Sequence, residues 1–189
     1  LDDPDEEIRS RVASLLIIFG EQIVPDLLAS CAQDRDETRD LKFYIINEIG
    51  QPALEPLYDA LKDSNPVTSS MALKVFMDLG DASIEPLIRG LYDENPGTRA
   101  LSENALIRIG EPVVPYLIRE IPMHREDDRE VIESVLIRIG EPAVPELTRA
   151  LFDPSAETNR TVSAIIPRLG SLAAPHLLDV IEEKGNIAT

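Results

Sequence analysis

The chain has no tryptophan, one cysteine, two histidines and four lysines among its 189 residues. Each scarcity removes a class of function. Aromatic residues make up 4% of the sequence, too few for the stacking platforms that hold sugars or unpaired bases. With Cys31 alone, neither an internal disulfide nor a thiolate metal cluster can form. His124 and His176 have no recurring carboxylate or cysteine partner in the sequence, so both read as solvated surface histidines. No HExxH, P-loop, GxSxG or dinucleotide fingerprint is present. No uninterrupted run of about 18 apolar residues occurs, so no membrane span is expected. Alternation of apolar and polar residues, the mark of strands, is missing too.

Negative charge is abundant. Charged residues account for 28% of the chain and the formal net charge is −17. A polyanion repels phosphate backbones, whose recognition depends on cationic neutralisation, and anionic membrane surfaces. Nucleic acid and membrane partners are therefore not expected, and the reading is of a cytoplasmic protein. Fourteen arginines carry most of the positive charge, which favours planar, bidentate recognition of carboxylates or phosphates. The same balance also suits a chain adapted to a salty cytoplasm.

Residues 105–121 read ALIRIGEPVVPYLIREI and residues 135–151 read VLIRIGEPAVPELTRAL; eleven of seventeen aligned positions are identical. Glycine extends this recurrence. Gly20, Gly50, Gly80, Gly110, Gly140 and Gly170 are each 30 residues apart. A fixed period in the range of about 20–50 residues marks a solenoid or array. Seven residues after each glycine stands a leucine: Leu27, Leu57, Leu87, Leu117, Leu147 and Leu177. Offsets 4 and 11 are also apolar, including Val24 and Cys31 in the first unit, with Ala174 and Ile181 in the last. Offsets of 4, 7 and 11 trace one face of a helix. Apolar residues also recur one, four and five positions before the glycine, as in Ile109, Leu106 and Ala105.

Each unit therefore reads as helix, glycine turn, helix. The glycine is expected to close the first helix in the left-handed conformation. Prolines such as Pro25, Pro115 and Pro145 follow it, as the first turn of a helix allows. Thr38, Thr68, Thr98 and Thr158 share one column after the Asp/Asn/Pro turns and are expected as N-caps. Two helices cannot bury their apolar stripe alone, and stacked units share one core. Pro167 falls inside a first-type helix and should interrupt it.

These residues resemble the HEAT-like repeats named after phycobilisome lyases. Asp93, Arg99, ALIRIG and VVPYLIREI follow that unit's pattern of turn Asp, Arg six residues later, Ile-Gly helix end and Val-Pro-x-Leu start. The likeness covers the whole chain and implies an all-α, right-handed α-solenoid of about six two-helix repeats over residues 1–189. It implies either a protein-binding scaffold or a bilin lyase-like subunit that handles a tetrapyrrole. Two departures stand out. The turn Asp and its Arg occur together only as Asp3 with Arg9 and Asp93 with Arg99, so an Asp–Arg ladder would be interrupted. Three before the glycine, where the family has a small residue, stand Ile17, Asn47, Met77, Ile107, Ile137 and Pro167. That column reads either as an exposed apolar strip or as part of the inter-repeat packing. Leu1 stands 19 before Gly20, the register of Leu61, Leu91 and Leu151; this predicts the last turn of a preceding repeat and hence a segment of a longer repeat protein.

Candidate chemistry concentrates on the second helices, which line the concave groove in such repeats. Nine after the glycine stand Ala29, Asp59, Arg89, Arg119, Arg149 and Asp179, and six after stand Pro86, Tyr116, Glu146 and His176. Arg89, Arg119 and Arg149, with Tyr116 and His176, form the candidate binding set for an extended peptide with acidic groups. Local pairing of Arg89 with Asp93 and Arg149 with Asp153, four residues on, is the competing account. Arg108, Arg138 and Arg168 read as solvated surface. REDDRE, residues 125–130, lacks the glycine and ligand spacing of a calcium loop and reads as a turn leading into a helix. Cys31 occupies a core column and reads as a small buried apolar residue. The sequence points to a non-enzymatic scaffold for a protein or peptide, with no cofactor, no metal and no catalytic residue. The bilin reading is the alternative, with the three arginines holding propionates.

Overall fold

A computed structural model describes residues 1–178. The chain is all-helical, 84% helix with no strand among the described residues. Eleven α-helices follow in order: α1 Glu6–Phe19, α2 Val24–Ser30, α3 Asp36–Ile49, α4 Leu54–Leu61, α5 Pro66–Asp78, α6 Ile84–Gly90, α7 Pro96–Ile109, α8 Val114–Glu120, α9 Glu126–Ile139, α10 Val144–Ala150 and α11 Ala156–Ile165. Odd-numbered helices are the long ones before each glycine and even-numbered helices the short ones after it.

The chain divides into two compact units, Leu1–Ala105 and Leu106–Thr189. Within the first, α1, α3 and α5 pack side by side, as do α2, α4 and α6, and α4 also lies against α5. Within the second, α8 lies beside α10 and α9 beside α11, with α10 packed on α11.

The six glycines explain the reversal in each hairpin. All have positive φ, between 57° and 77°. Their ψ corrects the expected left-handed helical geometry: it is −143° at Gly20, −135° at Gly50 and −134° at Gly140. Only a residue without a Cβ enters that region easily. With this ψ the chain leaves the helix extended at the glycine. A single 3-10 turn follows, Gln51–Ala53 or Glu111–Val113 for example, and the next helix begins with proline at its second position, as at Pro25, Pro115 and Pro145.

The turns between hairpins corrected two expectations. Thr38, Thr68, Thr98 and Thr158 are not N-caps. They stand at the third residue of α3, α5, α7 and α11 and are buried. Where a side chain caps these first-type helices it lies three residues before this column, and Arg35 ahead of α3 makes no capping bond. Asp5 and Asn65 side chains accept from the N–H groups of Glu7 and Val67, both at 2.9 Å, and Ser155 Oγ accepts from Thr158 N–H. With the orphan donors satisfied there, the compact Thr side chain is left to pack inward. The Asp–Arg ladder is likewise not an ion-pair series. Asp3, Asp63, Asp93 and Asp153 each accept the backbone N–H two residues on, at 2.8–2.9 Å. The Arg instead donates to backbone carbonyls of its own turn: Arg9 to Asp3 at 2.6 Å, Arg99 to Asp93 at 2.7 Å, and Arg129 to Ile121 and His124 at 2.9 Å. Asn159 does the same to Asp153. Arg and Asn both fill this role, whereas Ser69 in the same column donates to the Asn65 and Pro66 carbonyls instead.

The core follows the columns. Leu57, Leu87, Leu117 and Leu147 are fully buried, each contributing about 1.5–3 kcal/mol relative to exposure. Cys31 is buried and donates to the Leu27 carbonyl at 3.0 Å; burial raises its thiol pKa above the ordinary value. Ile17, Asn47, Met77, Ile107 and Ile137 are half-buried, so their column is not an open apolar strip. Pro167 ends α11 after ten residues, against fourteen for α9, and a 3-10 segment Ile166–Leu172 takes over.

At the N-terminus, Leu1–Asp5 is not helical. Glu6–Gln33 is long and apolar enough by composition to cross a membrane, a stretch that counting uninterrupted apolar residues overlooks. Gly20 divides it into α1 and α2, fourteen and seven residues long.

Candidate binding site

Arg89 lies in the first unit; Arg119, Arg149, Tyr116 and His176 lie in the second. Arg89 is exposed on α6, but its guanidinium is held. Nη1 and Nη2 donate to Glu55 Oε1 and Oε2 at 3.0 and 2.9 Å, and the group stacks 4.0 Å above the Tyr58 ring. The bidentate bond raises the Arg89 pKa further and is the first cause of a lowered Glu55 pKa. Asp93, expected as the local partner of Arg89, pairs elsewhere. Its Oδ2 accepts the Tyr58 hydroxyl at 2.7 Å and lies 3.7 Å from Lys62 Nζ. The Asn95 N–H and the Tyr58 hydroxyl hold the Asp93 carboxyl below its ordinary pKa, while burial and the bond to Asp93 push the Tyr58 phenol up. Lys62 sits 4.5 Å from the same ring. Tyr58 is thus clasped by two cations and anchored by one acid.

In the second unit, Arg119 and Arg149 stand exposed at matching positions on the neighbouring helices α8 and α10. Arg119 lies 5.2 Å from the Tyr116 ring centroid and has further partners. Arg149 pairs with Glu146, one turn before it, and not with Asp153; Asp153 is occupied by the Ser155 N–H. Tyr116 and His176 are half-buried. His124 is half-buried as well, with Nε2 3.3 Å from Glu120 Oε2, so the reading of free surface histidines does not hold there. Arg168 is exposed as expected and reaches Glu133 at 3.5 Å. Asp179 and Ile181 lie outside the described residues.

The pairs that sequence spacing missed share a rule. Glu55–Arg89 spans 34 residues, Tyr58–Asp93 and Glu133–Arg168 span 35, and Asp2–Thr38 spans 36. Each is one repeat plus about one helical turn. Searching at four residues finds neighbours on one helix; searching near 35 finds neighbours on adjacent hairpins.

A second feature has no counterpart in the repeat columns. Between α2 and α4 in the first unit lies a groove of about 770 Å³. Its rim carries Glu21, Glu55, Asp59 and Asp63. No group of three or more His, Cys, Asp or Glu among the described residues is arranged to hold a metal ion. Comparison with protein-family models and with curated proteins finds no match to this chain. The likeness to HEAT-like repeats therefore rests on the repeated residues alone.

Proposed function

We propose that this chain is a non-enzymatic binding scaffold, a right-handed α-solenoid of six HEAT-like hairpins that offers its second helices to a protein or peptide. The observation that carries this reading is the recurrence of one hairpin geometry. A positive-φ glycine returns every 30 residues, and in the first five hairpins a buried leucine follows seven positions on. Such repetition produces a regular, stiff surface with equivalent exposed positions on successive short helices. On that surface Arg119 and Arg149 recur at one position of α8 and α10, and an arginine lying on an aromatic ring is a preorganised carboxylate receptor. The partner on this face is a peptide or protein segment with acidic side chains.

The test is binding of a fluorescein-labelled, glutamate-rich decapeptide to the full chain. Arg119→Glu, with unchanged helicity by circular dichroism, is expected to weaken capture about tenfold, roughly 1.4 kcal/mol. Equal affinity of Arg119→Glu and the native chain removes this face from the binding surface.

A further inference from the structure

We infer that the groove between α2 and α4 binds a cationic peptide segment, an inference that rests on the scaffold reading and assigns it a second, oppositely charged surface. Four carboxylates, from Glu21, Glu55, Asp59 and Asp63, line the groove, and no cation does. The nearby cations are committed: Arg89 to Glu55, and Lys62 to Asp59 and Asp93. Among the described residues, Glu21 and Asp63 have no cationic partner, although Asp63 Oδ1 accepts the Asn65 N–H.

The groove is more than a patch of acid. Leu28, Ala29, Pro56 and Ala60 give it apolar walls. Thr68 also lines it; that residue is 3% exposed, and no hydrogen bond of its hydroxyl occurs among the described residues. As part of the lining, that hydroxyl can both donate to and accept from a ligand in the groove. The carboxylates do not gather round one point as metal ligands would. They line a channel with an apolar floor, which fits an extended chain whose Lys or Arg side chains reach the rim while an apolar side chain enters between them. The free Thr68 hydroxyl then meets the peptide backbone.

The probe is a fluorescein-labelled octapeptide of alternating lysine and leucine, titrated into the full chain at low and moderate salt. Saturable binding that weakens with salt is expected. Glu21→Lys with Asp59→Lys should lose at least tenfold in affinity. Glu111→Lys with Glu141→Lys, which makes the same change in net charge at exposed sites in the second unit, should lose less than threefold. Thr68→Val should weaken binding severalfold while leaving its salt dependence unchanged. The proposal is overturned if the octapeptide does not bind, if the two double variants bind alike, or if spermine competes as well as the unlabelled peptide. The glutamate-rich decapeptide run in parallel separates the two readings. Its capture without capture of the lysine peptide sinks the groove and leaves the scaffold standing; capture of neither sinks both.

Discussion

Lys42 illustrates how far one residue can depart from its column. The equivalent positions hold Ala72, Ser102, Ile132 and Val162, all buried, and Lys42 is buried with them at 5% exposure. Its ammonium lies 2.5 Å from Asp34 Oδ2 and donates to Ser30 Oγ at 2.6 Å. Breaking a buried pair strands the surviving charge. Asp34→Ala is therefore expected to destabilise the fold by about 3–5 kcal/mol in urea unfolding, whereas Lys42→Met combined with Asp34→Leu should recover most of the loss. A double variant no more stable than Asp34→Ala would show that the pair is doing something other than neutralising itself. Glycine gives a second prediction at this scale. Gly140, at φ 77° and ψ −134°, should lose about 1–3 kcal/mol on replacement by alanine, read in the same unfolding experiment. The need for glycine was legible in the sequence from spacing alone. The actual ψ was not, because spacing says where a chain turns and not how sharply.

Among the elements, α11 and the α4–α6 contact behave differently from their counterparts. Helix α11 stops at Ile165 because Pro167 cannot donate to the helical ladder. Pro167→Ala should extend the helix through the 3-10 segment, detected as slower amide exchange at residues 166–169; unchanged exchange would place the stop elsewhere. The α4–α6 contact predicts a pH dependence. The Asp93 and Glu55 carboxyls have lowered pKa values in the fold. Their stabilisation is complete above the ordinary carboxylate range near pH 4 and is lost as pH falls through the lower folded values. Tyr58 has a raised pKa, so its contribution is complete below about pH 10 and is lost as pH rises through the folded value. Tyr58→Phe should flatten the alkaline limb of a stability–pH curve; an unaltered limb would exclude Tyr58 as its source. Helix order, the apolar columns and the early stop at Pro167 could be read from periodicity. The clasp around Tyr58 could not, because only Lys62 lies on its own hairpin while Arg89 and Asp93 come from the next one.

At the scale of the whole molecule, electrostatics oppose compaction. A net charge of −17 repels itself, and the exposed ion pairs Arg11–Glu7 and Arg149–Glu146 offset little of that. Raising NaCl from 20 to 300 mM screens charges beyond about 10 Å and should raise Tm by several degrees; a fall in Tm would mean that attractive pairs dominate. The two proposed surfaces were only half legible at this scale. Arginine stacks as repeated letters and is visible, whereas the groove of Glu21, Glu55, Asp59 and Asp63 is assembled from unequal offsets and emerges only in three dimensions. The 30-residue glycine spacing has a last consequence, for insertions and deletions. Excising residues 36–65 joins Arg35 to Pro66, a helix cap to a helix start, and every later glycine keeps its phase. Excising one residue fewer rotates the following helix by about 100° and turns its buried stripe toward water. Genetic change in this chain is therefore quantised: it can gain or lose length in whole hairpins far more readily than in single residues.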